Sequence, residues 1–342
     1  MTGEYRHRPV MLEQSREALA MTSGEVFCDC TLGGGGHALT IAPDISPGGL
    51  LIGIDQDVEA LNFAHARLKA ALSALSDPSP ARLAIIKGNF ADLDELLIQV
   101  PVPGIDGFLF DLGVSSHQLD IPSRGFSYAR DAPLDMRMDP GTQTTTAAEI
   151  INNTTAADLA WILRNFGEER HAVQIAHRIV KARVQAPITS TSELVRIVKS
   201  AIPARYRRSG GNPAKRTFQA LRIAVNRELD VLEAGLNAAV RWLNPAGRLV
   251  VISYHSLEDR IVKNLFNELS KSCICPPEAP ICTCGIKPIF SRISKRALVA
   301  TSEQREDNPR SKSAKLRWAI KSPEEDPSPG GDLDPGVARH RQ

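Results

Sequence analysis

The chain has no apolar run of the roughly eighteen residues that a membrane-crossing helix needs. Its first residues, Met1-Thr2-Gly3-Glu4-Tyr5-Arg6-His7-Arg8, lack the apolar core of a secretory signal. A cytoplasmic protein with no membrane partner is expected. Cysteine is scarce, six in 342 residues, and in a reducing compartment disulfides beyond transient ones are excluded. No internal repeat is present, so the fold is not a solenoid or a propeller. Apolar residues make up 42% of the chain, enough to bury a sizeable core without staples, in a length exceeding one typical domain.

Acidic residues are missing where basic ones gather. The net charge is only +2, yet nine Lys/Arg and no Asp or Glu lie between Arg196 and Arg227. From Lys287 to Arg317 nine more basic residues face only Glu303, Glu306 and Asp307. Basic charge this segregated suits a polyanionic partner, because phosphate contacts supply most nonspecific nucleic-acid affinity. Solvated helix faces are the alternative for either segment alone.

Short apolar runs bounded by turn signals recur at Glu25–Thr31, Leu50–Asp55, Leu83–Gly88, Ile105–Leu112, Arg248–Tyr254 and Lys315–Lys321. Helical patterns separate the early ones, at His37–Ile45, Val58–Leu75 and Phe90–Val100. This alternation predicts βαβ units and a doubly wound, mostly parallel sheet of Rossmann-like α/β type. From Thr146 to about Leu243 helical patterns take over. Thr146-Ala147-Ala148-Glu149, Thr155-Ala156-Ala157-Asp158 and Ser190-Thr191-Ser192-Glu193 supply helix starts, and one helix is predicted over Phe218–Leu243. The expected organisation is therefore a core in two parts, 1–139 and 218–321, an inserted helical substrate-recognition domain at 140–217, and a disordered Pro/Glu/Gly-rich tail at 322–342.

The most informative stretch is Phe27-Cys28-Asp29-Cys30-Thr31-Leu32-Gly33-Gly34-Gly35-Gly36-His37. A buried strand runs into consecutive glycines and then a helix, and the next strand delivers Asp55 beside that turn. Such a unit holds an adenosine-bearing cofactor. Gly33, Gly35 and Ala38 also fit G-x-G-x-x-A, so NAD and S-adenosylmethionine remain alternatives at this point, a carboxylate in the place of Asp55 suiting the ribose of either. Phe90, after the third strand, is a candidate to lie against an adenine face or to be core. Asp111 closes the fourth strand, at the crevice where doubly wound sheets bind ligands.

The chain resembles the RsmH (MraW) family over about residues 5 to 321. Shared motifs include His7-Arg8-Pro9-Val10-Met11, the Thr31-to-His37 loop, Asp111-Leu112-Gly113-Val114-Ser115-Ser116-His117-Gln118-Leu119-Asp120, Arg124-Gly125-Phe126-Ser127 and Pro133-Leu134-Asp135-Met136-Arg137-Met138-Asp139. Further along, Asn212-Pro213-Ala214-Lys215-Arg216-Thr217-Phe218-Gln219-Ala220-Leu221-Arg222, Ser253-Tyr254-His255-Ser256-Leu257-Glu258-Asp259-Arg260 and Asn308-Pro309-Arg310-Ser311-Lys312-Ser313-Ala314-Lys315-Leu316-Arg317 continue the match in order. The resemblance implies a class I S-adenosylmethionine-dependent methyltransferase. It also implies the exocyclic N4 of a cytidine in the decoding region of 16S ribosomal RNA as target. Carried over by position, the cofactor contacts fall on Gly35, Gly36, His37, Asp55, Phe90, Asp111 and Gln118.

A cytosine amine is a poor nucleophile because its lone pair is delocalised, so an acceptor for its N–H favours attack. Asp111 is the candidate for that role; hydrogen bonding to the cofactor's amino acid moiety is its alternative. Tyr254 is a candidate to stack on an extruded base and His255 to contact phosphate, with a satisfied structural role as the alternative for each. Arg205, Arg207, Arg208, Lys215 and Arg216 bracket a Gly-Gly turn, and with Asp131–Asp139 are assigned to RNA recognition. The expected partner is 16S rRNA or the small subunit, with the enzyme a monomer or homodimer. An NAD-dependent oxidoreductase leaves Asp111-Leu112-Gly113-Val114-Ser115-Ser116 and the basic segments unexplained. A non-catalytic RNA-binding assembly factor that retains the pocket is the other alternative.

Cys28 and Cys30 alternate in the first strand and are expected to be small buried side chains. Cys273, Cys275, Cys282 and Cys284 have the ligand number for structural zinc, but C-x-C pairs are less typical ligands than C-x-x-C. No metal is assigned to them.

Overall fold

The computed structural model describes residues 9–75, 79–115, 118–119, 121–204, 212–276 and 281–323. The expected tail beyond 323 and the candidate RNA contacts Arg205, Arg207 and Arg208 lie outside the described residues. A single sheet organises the first and last thirds of the chain. Its strands are β1 (Val26–Asp29), β2 (Leu50–Asp55), β3 (Arg82–Lys87), β4 (Ile105–Asp111), β5 (Leu243–Ser253), β6 (Phe290–Ile293), β7 (Leu298–Val299) and β8 (Lys315–Lys321). They are ordered β3-β2-β1-β4-β5-β8-β6, with β7 also on β8. The first five strands are mutually parallel, and β8 runs antiparallel to β5, β6 and β7.

Pleating sends successive residues to opposite faces, and the strands obey it. Cys28, Ile52, Phe108 and Phe110 enter one core layer and Phe27, Leu51 and Leu109 the other. The second layer is closed by α1 (Leu12–Leu19), α2 (Gly36–Ile45) and α3 (Val58–Ser73), which contribute Leu19, Ile41 and Leu68. Across the sheet, Leu93 and Leu97 come from α4 (Leu93–Leu97). Both faces of the parallel strands are covered, which is why their sequences read as continuous apolar runs.

The middle of the chain forms five helices among the described residues, α5 (Ala147–Asn153), α6 (Ala156–Gly167), α7 (Ala172–Arg183), α8 (Thr191–Ala201) and α9 (Lys215–Asn226). Three of the predicted starts cap as their chemistry dictates. Thr146 and Glu149 form a reciprocal capping box, Thr155 accepts the Asp158 N–H, and Ser190 accepts that of Glu193. These helices share a core of their own that also draws in Phe126, Leu134, Phe218 and Val225, so it reaches past 140–217 on both sides.

The predicted single helix over Phe218–Leu243 is instead two. Arg227, at φ 50°, breaks it into α9 and α10 (Glu228–Trp242). The reason is packing: α9 turns Phe218 and Leu221 into the helical core, whereas α10 turns Leu232 and Leu236 onto the sheet. One straight helix could not face both. After α10, β5 is followed by α11 (Ser256–Leu269), and α12 (Ser302–Asp307) precedes β8.

Two residues clamp the Met136–Met138 segment, one of them to α3 and the other to α9. The Arg124 guanidinium bonds Asp57, the N-cap of α3, at 3.1 Å and the Met138 carbonyl at 2.9 Å. Asn226, buried at the end of α9, accepts the Met138 N–H and donates to the Met136 carbonyl, each at 2.8 Å. Asn226→Ala leaves both backbone groups without these partners and should lower stability by about 3 kcal/mol. Urea denaturation measures it; a loss below about 1 kcal/mol would mean that the clamp is dispensable.

Candidate active site

Crossovers leave β1 toward β2 and leave β4 toward β5, on opposite sides, so a crevice opens where the strand order reverses. A cleft of about 800 Å³ occupies this place and extends to α9 and to the start of α11. Gly33, Gly34, Gly36, His37, Asp55, Phe90, Asp111, Gln118, Lys215, Tyr254 and His255 line it, together with Arg222 and Glu228.

The glycine loop is shaped by backbone demands. Gly33 and Gly35 have φ 49° and 73°. A Cβ on Gly36 would sit 2.4 Å from Pro9 Cγ, so only glycine lets the N-terminal segment lie across the loop. Gly35 does not line the cleft; it is the N-cap of α2, and its α-carbon faces Ala64 of α3. Its observed role is to form the turn into α2. Asp55 accepts the Gly33 N–H at 2.8 Å and the Asp57 N–H at 2.9 Å, one on each oxygen. Burial raises its pKa and these N–H groups work against the rise. A carboxylate has about four acceptor sites, which leaves Asp55 capacity for a ribose hydroxyl.

Phe90 packs edge-on against Phe110 at 5.4 Å and still lines the cleft. Gln118 is buried, and its side-chain oxygen accepts the Ser115 N–H at 3.0 Å. His37 is buried with its Nε2 3.5 Å from Asp111 Oδ2 and, among the described residues, without a hydrogen-bond partner. A buried nitrogen of this kind suits a ligand's acceptor or donor.

Asp111 is held from two sides. Its N–H donates to Thr31 Oγ1 at 2.7 Å, and its Oδ1 accepts the Tyr254 hydroxyl at 2.7 Å. Oδ2 lies beside His37, and Asp111 lines the cleft. Tyr254 therefore carries a bond that its predicted stacking role did not include. His255 lines the cleft and also caps a helix. Its Nδ1 accepts the Glu258 N–H as the N-cap of α11, and its Nε2 lies 3.2 Å from Glu258 Oε1 with the ring only 7% exposed. Burial pushes Glu258 up, but His255, Arg222 and the Tyr254 N–H hold it below the ordinary carboxylate range. Arg222 forms a bidentate pair with Glu228 at 2.8 Å, which keeps its guanidinium above its ordinary value despite burial. Lys215 is exposed at the cleft, whereas Arg216 donates to the Glu168 carbonyl at the end of α6 and does not line it.

Thr31, Arg222 and Glu228 were not singled out from sequence, although Thr31 and Arg222 sit inside the quoted motifs. Asp29 was missed too. It is 1% exposed, accepts the Thr31 N–H at 3.1 Å, and burial pushes its carboxyl up to about 7 despite the attraction of His37. A carboxyl with a raised pKa keeps its proton in the folded chain at pH values where the unfolded chain, near 3.8, has lost it. Its contribution thus falls as pH rises from about 4 to about 7 and is constant above. Asp29→Asn should gain on the parent in urea midpoint between pH 5 and 8, and a pH-independent difference between the two proteins would contradict the assignment.

The fold and the cleft define a Rossmann-like methyltransferase of the S-adenosylmethionine-dependent class. Antiparallel β8 between β5 and β6 departs from the 3-2-1-4-5-6 strand order usual in dinucleotide-binding sheets. The MraW methylase family matches residues 4–322, and the chain belongs to that family. It is 48% identical to "Ribosomal RNA small subunit methyltransferase H" of Symbiobacterium thermophilum over 317 residues, 93% of this chain and 97% of that protein. The protein of the same name from Desulfosudis oleivorans is 48% identical over 318 residues, 93% of this chain and 99% of its own length.

Proposed function

We propose that the chain transfers a methyl group from S-adenosylmethionine to the exocyclic N4 of a cytidine in the decoding region of 16S rRNA. The observation that carries this is Asp111, anchored by Thr31 and Tyr254 and lining a cleft at the strand-order reversal. Relatives that align over nearly their whole length are named for methylation of the small-subunit RNA. Action on ribosomal RNA belongs in the cytoplasm, and among the described residues no helix is long and apolar enough to cross a membrane.

The residues fit the cofactor. Asp55 offers lone pairs to ribose hydroxyls, Phe90 and Leu232 an apolar wall for adenine, and His37 and Gln118 polar groups for the amino acid end. When bound, S-adenosylmethionine supplies an electrophilic methyl on a sulfonium. The chain's own task is to present the amine. Asp111 Oδ2 accepts its N–H and so concentrates the nitrogen lone pair, while Tyr254 fixes the carboxylate's rotamer. Tyr254 is in this sense a positioning residue. Lys215 on α9 and the segment Asp131–Asp139 guide the RNA, and Arg205, Arg207 and Arg208 extend the same basic stretch.

Asp111→Asn should lower methyl transfer to small subunits by roughly 10²–10⁴-fold and leave S-adenosylmethionine affinity, read by calorimetry, within about tenfold. Equal losses in both would make Asp111 a cofactor ligand only. For Lys215→Ala the expected change is weaker RNA binding with a log–log salt slope shallower by about 1, and an unaltered slope would take Lys215 off the RNA.

A further inference from the structure

Between α11 and β6 the chain forms a loop in which no described side chain from Lys271 to Lys287 is buried. Ile274 and Ile281 are 64% and 74% exposed. A segment without apolar burial has little to offset the entropy of ordering it, yet this loop brings four thiols together. Cys282 Sγ lies 3.4 Å from that of Cys273, 3.5 Å from that of Cys284 and 3.9 Å from that of Cys275, and Cys273 and Cys284 are 3.8 Å apart. All four sulfurs lie within 4.8 Å of one another.

These spacings select among thiol chemistries. Two disulfides would divide the sulfurs into pairs about 2.05 Å apart, whereas here each measured separation is similar. Four sulfurs bound to one zinc ion at about 2.3 Å occupy a tetrahedron whose edges are about 3.8 Å. The separations of 3.4–3.9 Å bracket that edge. The Cys275 N–H also lies 3.4 Å from Cys273 Sγ. Gly285, at φ 61° with open space around it, lets the chain turn directly after the last cysteine.

We propose that Cys273, Cys275, Cys282 and Cys284 form a structural zinc site that orders the loop between α11 and the sheet edge. This replaces the expectation of no metal drawn from the C-x-C spacing. The site lies in sequence far from the glycine loop and stands whether or not the methyl-transfer assignment does. The four ligands close the coordination sphere, so the ion has no open position and its role is to hold the loop, not to activate water.

The test uses the full chain, purified under reducing conditions without chelator. Inductively coupled plasma mass spectrometry should find about one zinc per chain, and Cys282→Ser should lose most of it. Because a variant can misfold, the wild-type protein is also stripped of metal and titrated with Co²⁺. Thiolate charge-transfer and tetrahedral d–d bands saturating at one equivalent support the site. No such bands, or equal metal content in Cys282→Ser and wild type, would overturn it.

Discussion

The bond from the Tyr254 hydroxyl to Asp111 joins the ends of two neighbouring strands, β4 and β5, over the crevice that opens between β1 and β4. Sheet topology alone puts a carboxylate there; it does not aim it. Thr31, at the end of β1, takes the Asp111 N–H from the opposite side. Three adjacent strands thereby fix one residue, whose second carboxylate oxygen lies beside His37. Behind them lies Asp29, whose carboxyl burial pushes up to about 7, so that about half of it keeps its proton at neutral pH.

A second constraint couples substrate side to cofactor side. Asn226 and Arg124 bind the Met136–Met138 backbone to both the helical unit and α3, and Arg222 pairs with Glu228 across the break at Arg227. Buried bidentate pairs of this kind specify geometry more than they add stability. The helical unit is thus held in one relation to the cleft, with Lys215 on its exposed rim.

Much of this was legible in the chain. Strands β1, β2 and β4 are continuous apolar runs because both faces of a parallel sheet are covered, and Thr146, Thr155 and Ser190 announce helices through their capping chemistry. Strands β6 and β7 were not foreseen, being short edge strands with largely exposed residues and no alternation to read. The break at Arg227 carries no glycine, since packing of α9 and α10 on different cores imposes it. Phe90, Asp55 and His37 were read as contacts from position, and the cleft lining includes them. Gly35 and His255 have local duties, a turn and a helix cap, that their positions in the sequence do not announce. The Tyr254 bond joins residues 143 apart in the chain, so no local pattern encodes it.

The central claim is that the aimed carboxylate presents an exocyclic amine to a sulfonium methyl. Small subunits incubated with the chain and isotopically labelled S-adenosylmethionine, followed by nuclease digestion and tandem mass spectrometry of 16S rRNA fragments, locate the transferred group directly. The account predicts label on N4 of one cytidine in the decoding region. Label on a ribose hydroxyl or a ring carbon, or none at all, would contradict it.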